Sequence, residues 1–219
     1  IDLVNHEQST LLARTTNVRK KLSQEIGFLM PSVHIRDNLE LKPSHYRIML
    51  MGVCYGEAMI IPDRVLAINP SAITTELDGI KTKDPTFGLD AVWINHDQSN
   101  HAQSLGFTLV NPETVMASHL SQVLQSHADQ LLGHEEAQQL LDRLATSAPN
   151  LVEALVPKAI SLSVFVAVLR QLLAERIPII DIRNIAATLV DAASKTDEPN
   201  ELTAAVRIAL KRYIVQRII

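Results

Sequence analysis

The sequence predicts an α+β fold, in which an N-terminal mixed α/β domain, interrupted by a small α/β insertion, is followed by an all-helical domain. Three observations predict it. All seven glycines of the 219-residue chain lie at or before Gly133, so the turns that need them belong to the first part. Short apolar runs bounded by Pro, Asn and Asp alternate irregularly with helical patterns as far as Asn111. From His134 onward apolar residues recur at helical spacing, broken only by Pro and capping side chains. The expected division is residues 1–62 with 112–131 for the first α/β subdomain, 63–111 for the insertion and 132–211 for the helical part.

Asn5, with Gln8 three residues on, is a capping signal for an amphipathic helix through Leu11, Leu12, Val18, Leu22, Ile26 and Leu29, which stops between Gly27 and Pro31. Val33 to Arg36 reads as a strand ending in the turn formers Asp37 and Asn38. Tyr46 to Val53 is apolar on nearly every residue, the pattern of a strand covered on both faces, with Tyr55-Gly56-Glu57 as its turn and Ala58 to Ile61 pairing back. Arg64 to Ile68 is a further strand closed by Asn69-Pro70, and the polar stretch from Ser71 to Lys83 reads as a loop. Ala91 to Ile94 is a strand, Asp97 to Leu105 a helix, Phe107 to Val110 a strand, and Asn111 with Pro112 starts a helix. Further helices follow through Leu140, Leu141 and Leu144, through Leu162 to Leu173, from Asp181 through Val190, and from Pro199 through Leu210 toward an apolar end at Ile218 and Ile219.

Composition narrows the function. With 20 Lys and Arg against 24 Asp and Glu, and neither half basic, the chain lacks the concentrated positive face that phosphate neutralisation requires, which argues against nucleic acid. The Arg19-Lys20-Lys21 cluster reads as a solvated helix face. No run of apolar residues is long enough to span a bilayer, and the chain begins at Ile1, as an excised piece of a longer protein would. The single Cys54 excludes a disulfide framework and fits a reducing compartment; following an apolar run, it reads as a buried inert thiol. There is no Gly-rich phosphate loop, dinucleotide fingerprint or nucleophile elbow, and no two histidines stand four apart as a pair of metal ligands would. His96, His101, His119, His127 and His134 are expected to be solvated or capping. No cofactor, no metal and no catalytic residue is expected, and the chain reads as a non-enzyme.

One stretch remains, Lys83 to Ile94, which packs a turn against a strand and holds the only Trp. Asp84 before Pro85 favours an extended residue that caps or starts a turn, and Gly88 can take a positive φ. Trp93 reads as core. Phe87 sits between turn and strand, where an aromatic either plugs the core or stands at a surface for a partner, and the residues alone leave both open. Asp84 reads as a turn carboxylate that could be lost cheaply, and Ile68 as a strand core residue.

Two blocks, Val33-His34-Ile35-Arg36-Asp37-Asn38-Leu39 with Tyr46-Arg47-Ile48, and Ala67-Ile68-Asn69-Pro70 with the run from Asp84 to Ile94, resemble the cytoplasmic domain of the large export gate protein of type III secretion systems, the FlhA family of flagella. The resemblance continues through Glu136 to Arg143 and Glu201 to Arg207, and Asp84-Pro85-Thr86-Phe87-Gly88-Leu89-Asp90-Ala91 favours the flagellar branch over the injectisome branch. It implies a platform on the cytoplasmic face of the bacterial inner membrane, joined to a multi-span membrane half and assembled as a nine-subunit ring. Export chaperones with bound substrates and the export ATPase complex are the implied partners. The implied docking site is an apolar dimple at Ile68, Pro70, Asp84, Phe87 and Ser118, the last standing where the family usually has Thr. Residues 212–219 would start a linker to a fourth, C-terminal subdomain.

Overall fold

The computed structural model describes residues 2–71, 73–211 and 214–215. A 25-residue helix, α1 (Asp2–Ile26), opens them, so Asn5, expected as its cap, already lies inside it. The helix ends where expected, at Gly27, whose φ of 106° is open to glycine and costly for any other residue. The chain then turns back on the helix: the Ser23 hydroxyl accepts the Met30 N–H at 2.9 Å, and Arg19 donates Nε–H to the Met30 carbonyl at 2.6 Å. Arg19 is thereby removed from the solvated face expected of it, while Lys20 and Lys21 stay exposed.

The expected strand over Val33–Arg36 does not form. The segment is extended and largely exposed, and its backbone has no strand beside it among the described residues; a β pattern becomes a strand only when a neighbour supplies the ladder. The next apolar run is a hairpin rather than one long strand. β1 (His45–Leu50) and β2 (Val53–Met59) pair antiparallel around Met51 and Gly52, both with positive φ, as a tight hairpin turn demands. Tyr55-Gly56-Glu57, expected as a turn, is therefore inside β2. Because this two-stranded sheet is not sandwiched, Met49, Met51 and Val53 are exposed, and Cys54 is exposed rather than buried.

A second sheet has the order β4-β5-β3-β6, every neighbour antiparallel, from β3 (Val65–Ile68), β4 (Ile80–Lys83), β5 (Asp90–Ile94) and β6 (Thr108–Val110). β4 lies in the stretch expected to be loop; its Lys, Thr and Lys hide the strand period that its pairing with β5 makes real. Between β5 and β6 run a short 3₁₀ turn (His96–Gln98) and α2 (Ser99–Ser104). α3 (Pro112–Ser126) follows, starting at Pro112 as expected. Alternation along β3 sorts the core: Val65 and Ala67 pack with Ile94, Ala102 and Phe107, while Leu66 packs with Ala91, Trp93 and Val115 of α3. Trp93 is 1 % exposed, the core residue the sequence leads one to expect.

A polar pair fastens the hairpin to α3. The Tyr46 hydroxyl and His119 Nδ1 share a 2.8 Å hydrogen bond, with the rings edge to face at 5.7 Å. A Cβ on Gly56 would lie 2.6 Å from His119 Nε2, so only glycine lets β2 approach the imidazole. His119 is 5 % exposed and not the solvated histidine expected. Burial holds the imidazole below its ordinary value while the Asp84 charge pulls it back up, and burial, with Asp84 adding to it, raises the Tyr46 hydroxyl.

The remaining helices are α4 (Ala128–Leu131), α5 (His134–Ala145), α6 (Pro149–Glu153), α7 (Leu162–Ala174), α8 (Ile182–Ala192) and α9 (Pro199–Ala209), with a wider helical turn at Ala154–Ala159. Side-chain caps set two starts: Ser161 accepts from Val164 N–H and Asp181 from Asn184 N–H. Leu140, Leu155, Phe165, Leu169, Leu172, Ile185, Leu189, Leu202 and Val206 are all buried, and α5, α7, α8 and α9 each contribute an apolar face. Among the described residues no single helix is long and apolar enough to cross a membrane. Residues 212–213 and 216–219, in the expected linker, lie outside the described residues.

Two compact units result: the chain up to Val18 with Val33–Leu124, and Arg19–Ser32 with the chain from Gln125 onward. The segment after α1 belongs to the helical unit through its backbone, since Ile179 donates N–H to the Ile26 carbonyl at 2.8 Å and Arg143 reaches the Gly27 carbonyl at 3.3 Å.

Two outcomes test these packings. A Cβ on Gly27 would stand 2.6 Å from the Ile179 carbonyl carbon and the Ile180 nitrogen. Gly27→Ala should therefore cost the helical unit more than the roughly 1–2 kcal/mol of left-handed strain that Gly52→Ala, with open space around it, carries alone. Equal denaturant midpoints for the two variants would refute the close approach. For His119, whose folded value is depressed, the stabilisation is present above the unfolded value of about 6.5 and is lost as pH falls through and below it. The midpoint advantage of wild type over His119→Asn should narrow between pH 7.5 and 5.5; an unchanged gap would show that the imidazole titrates normally.

Candidate docking site

β4 and β5 are joined by a six-residue loop, Asp84 to Leu89, and Asp84 organises it with its backbone and side chain together. Its N–H donates to the Leu89 carbonyl at 2.8 Å, its carbonyl accepts the Gly88 N–H at 2.8 Å, and its Oδ2 accepts the Phe87 N–H at 2.7 Å. Gly88 supplies a φ of 71° in open space, so glycine is needed there for torsion and not for room. Asp84 is 3 % exposed, so its three bonds are shielded from water and hold the loop from inside. Phe87 is turned out of it, 75 % exposed, about twice as far into water as Leu89 at 38 %. An aromatic held that far in water by a satisfied backbone is not a core plug.

Strand register brings two of the expected site residues, Ile68 and Asp84, to one end of the second sheet. Ile68 is opposite Ala91 on β5, and Lys83, just before Asp84, is opposite Asp90. Ile68 is half-buried against the cluster of Leu66, Ala91, Trp93 and Val115, and Pro70 is exposed just beyond it. Asn69, which sequence reasoning passed over as punctuation, pins this corner: its N–H donates to the Asp90 carbonyl at 2.8 Å and its Oδ1 accepts the Ile73 N–H at 2.8 Å. Ser118 is half-buried on α3, one turn beyond Val115 of the same cluster and directly before His119. The expected docking residues are thus two exposed apolar groups, Phe87 and Pro70, a half-buried aliphatic at Ile68, a half-buried hydroxyl at Ser118 and a buried carboxylate at Asp84. Among the described residues no group of three or more His, Cys, Asp or Glu could hold a metal ion. Exposed apolar carbon beside polar groups is the chemistry of a surface that can bind a protein segment.

The FHIPEP family profile matches residues 1–219, the whole chain. The flagellar biosynthesis protein FlhA of Salmonella typhimurium is 47 % identical over 218 residues, which are 99 % of this chain and 32 % of that protein, so the chain spans about a third of the curated relatives' length. Among solved structures, CdsV of Chlamydia pneumoniae is 27 % identical with a TM-score of 0.80, over 91 % of this chain and 59 % of that one. The nonameric SctV-C of EPEC is 22 % identical with a TM-score of 0.73, over 95 % of this chain and 63 % of that one, and shares the fold. Matched from end to end by the profile and close to half identical to FlhA, this chain belongs to the FHIPEP family.

Proposed function

We propose that this chain is part of the cytoplasmic docking platform of a flagellar export gate, which binds export chaperones with their substrates and passes the substrates toward a membrane channel. The observation that carries the reading is Phe87, exposed on a loop whose backbone is fixed by Asp84. A hot spot has this form: an aromatic anchor, ordered before its partner arrives, so that little conformational entropy is lost on binding. Ile68, Pro70, Asp84, Phe87 and Ser118 form the docking surface in this reading, with Asp84 supporting Phe87 from below. Ser118 keeps the hydrogen-bonding hydroxyl of the usual Thr and lacks its methyl, leaving a shallower apolar contact.

The platform works by binding and not by catalysis, at the cytoplasmic face of the inner membrane. Its other proposed partners are the export ATPase complex and eight further copies in a ring. The three-subdomain division, with the insertion at 63–111, belongs to the same reading. High identity to FlhA favours the flagellar branch. The fold shared with CdsV keeps the equivalent gate of a virulence secretion system as the second reading.

Phe87→Ala should abolish capture of a late flagellar chaperone–substrate complex and shift the denaturant midpoint by less than about 1 kcal/mol, because little of the ring is buried beforehand. Asp84→Ala should behave otherwise. The buried carboxylate accepts a backbone N–H, so its loss should cost about 1–2 kcal/mol of stability, not the small amount expected of a turn residue. Undiminished capture by a well-folded Phe87→Ala would sink the docking assignment. If the ring depends on tethering through the membrane half, this chain alone should scatter light as a monomer or weak oligomer at micromolar concentration. A stable nonamer in dilute solution would show that its own contacts suffice.

A further inference from the structure

We propose that Tyr46 and His119 are the positioning residues of the docking surface: their hydrogen bond fixes α3, and with it Ser118, to the β1–β2 hairpin. This rests on the docking reading above and goes beyond it, since neither residue belongs to the docking set. His119 directly follows Ser118, so whatever holds the imidazole also sets where the Ser118 hydroxyl stands.

The imidazole is held from two sides. Tyr46 of β1 meets Nδ1 at 2.8 Å, and the Gly56 backbone of β2 closes on Nε2 and Cε1, where a Cβ would lie 2.6 and 2.7 Å away. Both strands of the hairpin thus grip one side chain of α3, and both polar groups are withdrawn from water, where a lost bond leaves an unpaired partner. Near its start α3 is also held by a hydrogen bond, from Arg14 Nη1–H to the Thr114 hydroxyl at 3.0 Å, and by apolar contact of Val115 with Leu66, Ala91 and Trp93. Apolar contact keeps the helix down on the sheet but tolerates rotation and sliding, whereas a hydrogen bond of defined length does not, and of these two bonds the one to His119 is made by the residue next to Ser118. The Asp84 carboxylate, at the base of the Phe87 loop, is close enough to act on both groups through its charge, so the pair lies under the same surface that it orders.

Tyr46→Phe keeps the ring and removes the hydroxyl. Measured at a temperature where wild type and variant are both fully folded by circular dichroism, it should weaken binding of a purified late flagellar chaperone–substrate complex about fivefold to tenfold, the worth of one hydrogen bond to a pre-organised group. His119→Leu should match it. His119→Asn places a polar atom near the position of Nδ1 and should restore most of the affinity in the Tyr46 background, yet fail to do so when combined with Tyr46→Phe. If Phe87→Ala abolishes binding and Tyr46→Phe leaves it at wild-type strength, the positioning role is overturned and the docking reading stands. If His119→Asn and His119→Leu bind equally, the imidazole is only filling space and the proposal also fails. If Phe87→Ala binds normally, the docking reading falls and takes the proposal with it.

Discussion

The pairing of β3 with β5 is the constraint on which the N-terminal unit depends. Leu66 stands opposite Trp93 and Ala67 opposite Val92, and β5 also carries β4 while β3 carries β6. Four short strands cannot be stable by ladder alone, so each face of the sheet is covered: one by α2 and the Phe107 segment, the other by Val115 of α3 and the Met59–Ile61 stretch. With the two central strands fixed in register, the ends of β3 and of the β4–β5 loop have to meet at one corner. Asn69 and Asp84 then spend their hydrogen bonds holding that corner rather than reaching for solvent.

The result is an inversion of the usual placement of a carboxylate and an aromatic. Asp84 is buried and Phe87 exposed, only three residues apart. Burying a carboxylate is costly unless it is hydrogen-bonded, and here its Oδ2 accepts the N–H of the very residue whose side chain is turned out. Gly88 takes the one backbone conformation of the loop that a side chain would oppose. The exposed aromatic is therefore a consequence of a loop made rigid from inside, which is the state in which an anchor binds with least reordering.

Much of this was legible in the residues, for reasons that particular elements make clear. The helical unit could be read because Leu140, Leu144, Leu169 and Leu172 follow the helical period without interruption, and Ser161 or Asp181 cap as such residues do. Strands were legible where both faces are covered, as at Val65–Ile68, and illegible at Ile80–Lys83, an edge strand whose Lys side chains face water. The apolar run from Tyr46 misled because hydrophobicity does not say that Met51 and Gly52 will both turn left-handed. In the β4–β5 loop, sequence could name Asp84 and Gly88 as turn formers, but the direction in which Phe87 points depends on the hydrogen bond from its N–H to Asp84, which no periodicity encodes. His119 was missed altogether, since its partner Tyr46 is 73 residues away.

The same physics explains why the unit boundary does not follow the change in glycine content. Gly133 marks where the chain stops needing left-handed turns, yet the helical unit also claims Arg19–Ser32 from the other end of the sequence. Its hold on that segment is backbone to backbone: Ile179 donates to the Ile26 carbonyl, and Gly27 stands so close to Ile179 that no side chain fits. Backbone contacts of this kind leave almost no trace in composition, because any residue can supply the carbonyl and only the glycine is visible in the sequence. Leu22, Ile26, Phe28 and Met30, all buried, belong to a unit whose remaining residues begin about a hundred positions later, at Gln125. A fragment cut at the glycine boundary would leave that unit without them, so the helical unit is defined by what the first helix delivers to it as much as by its own apolar faces.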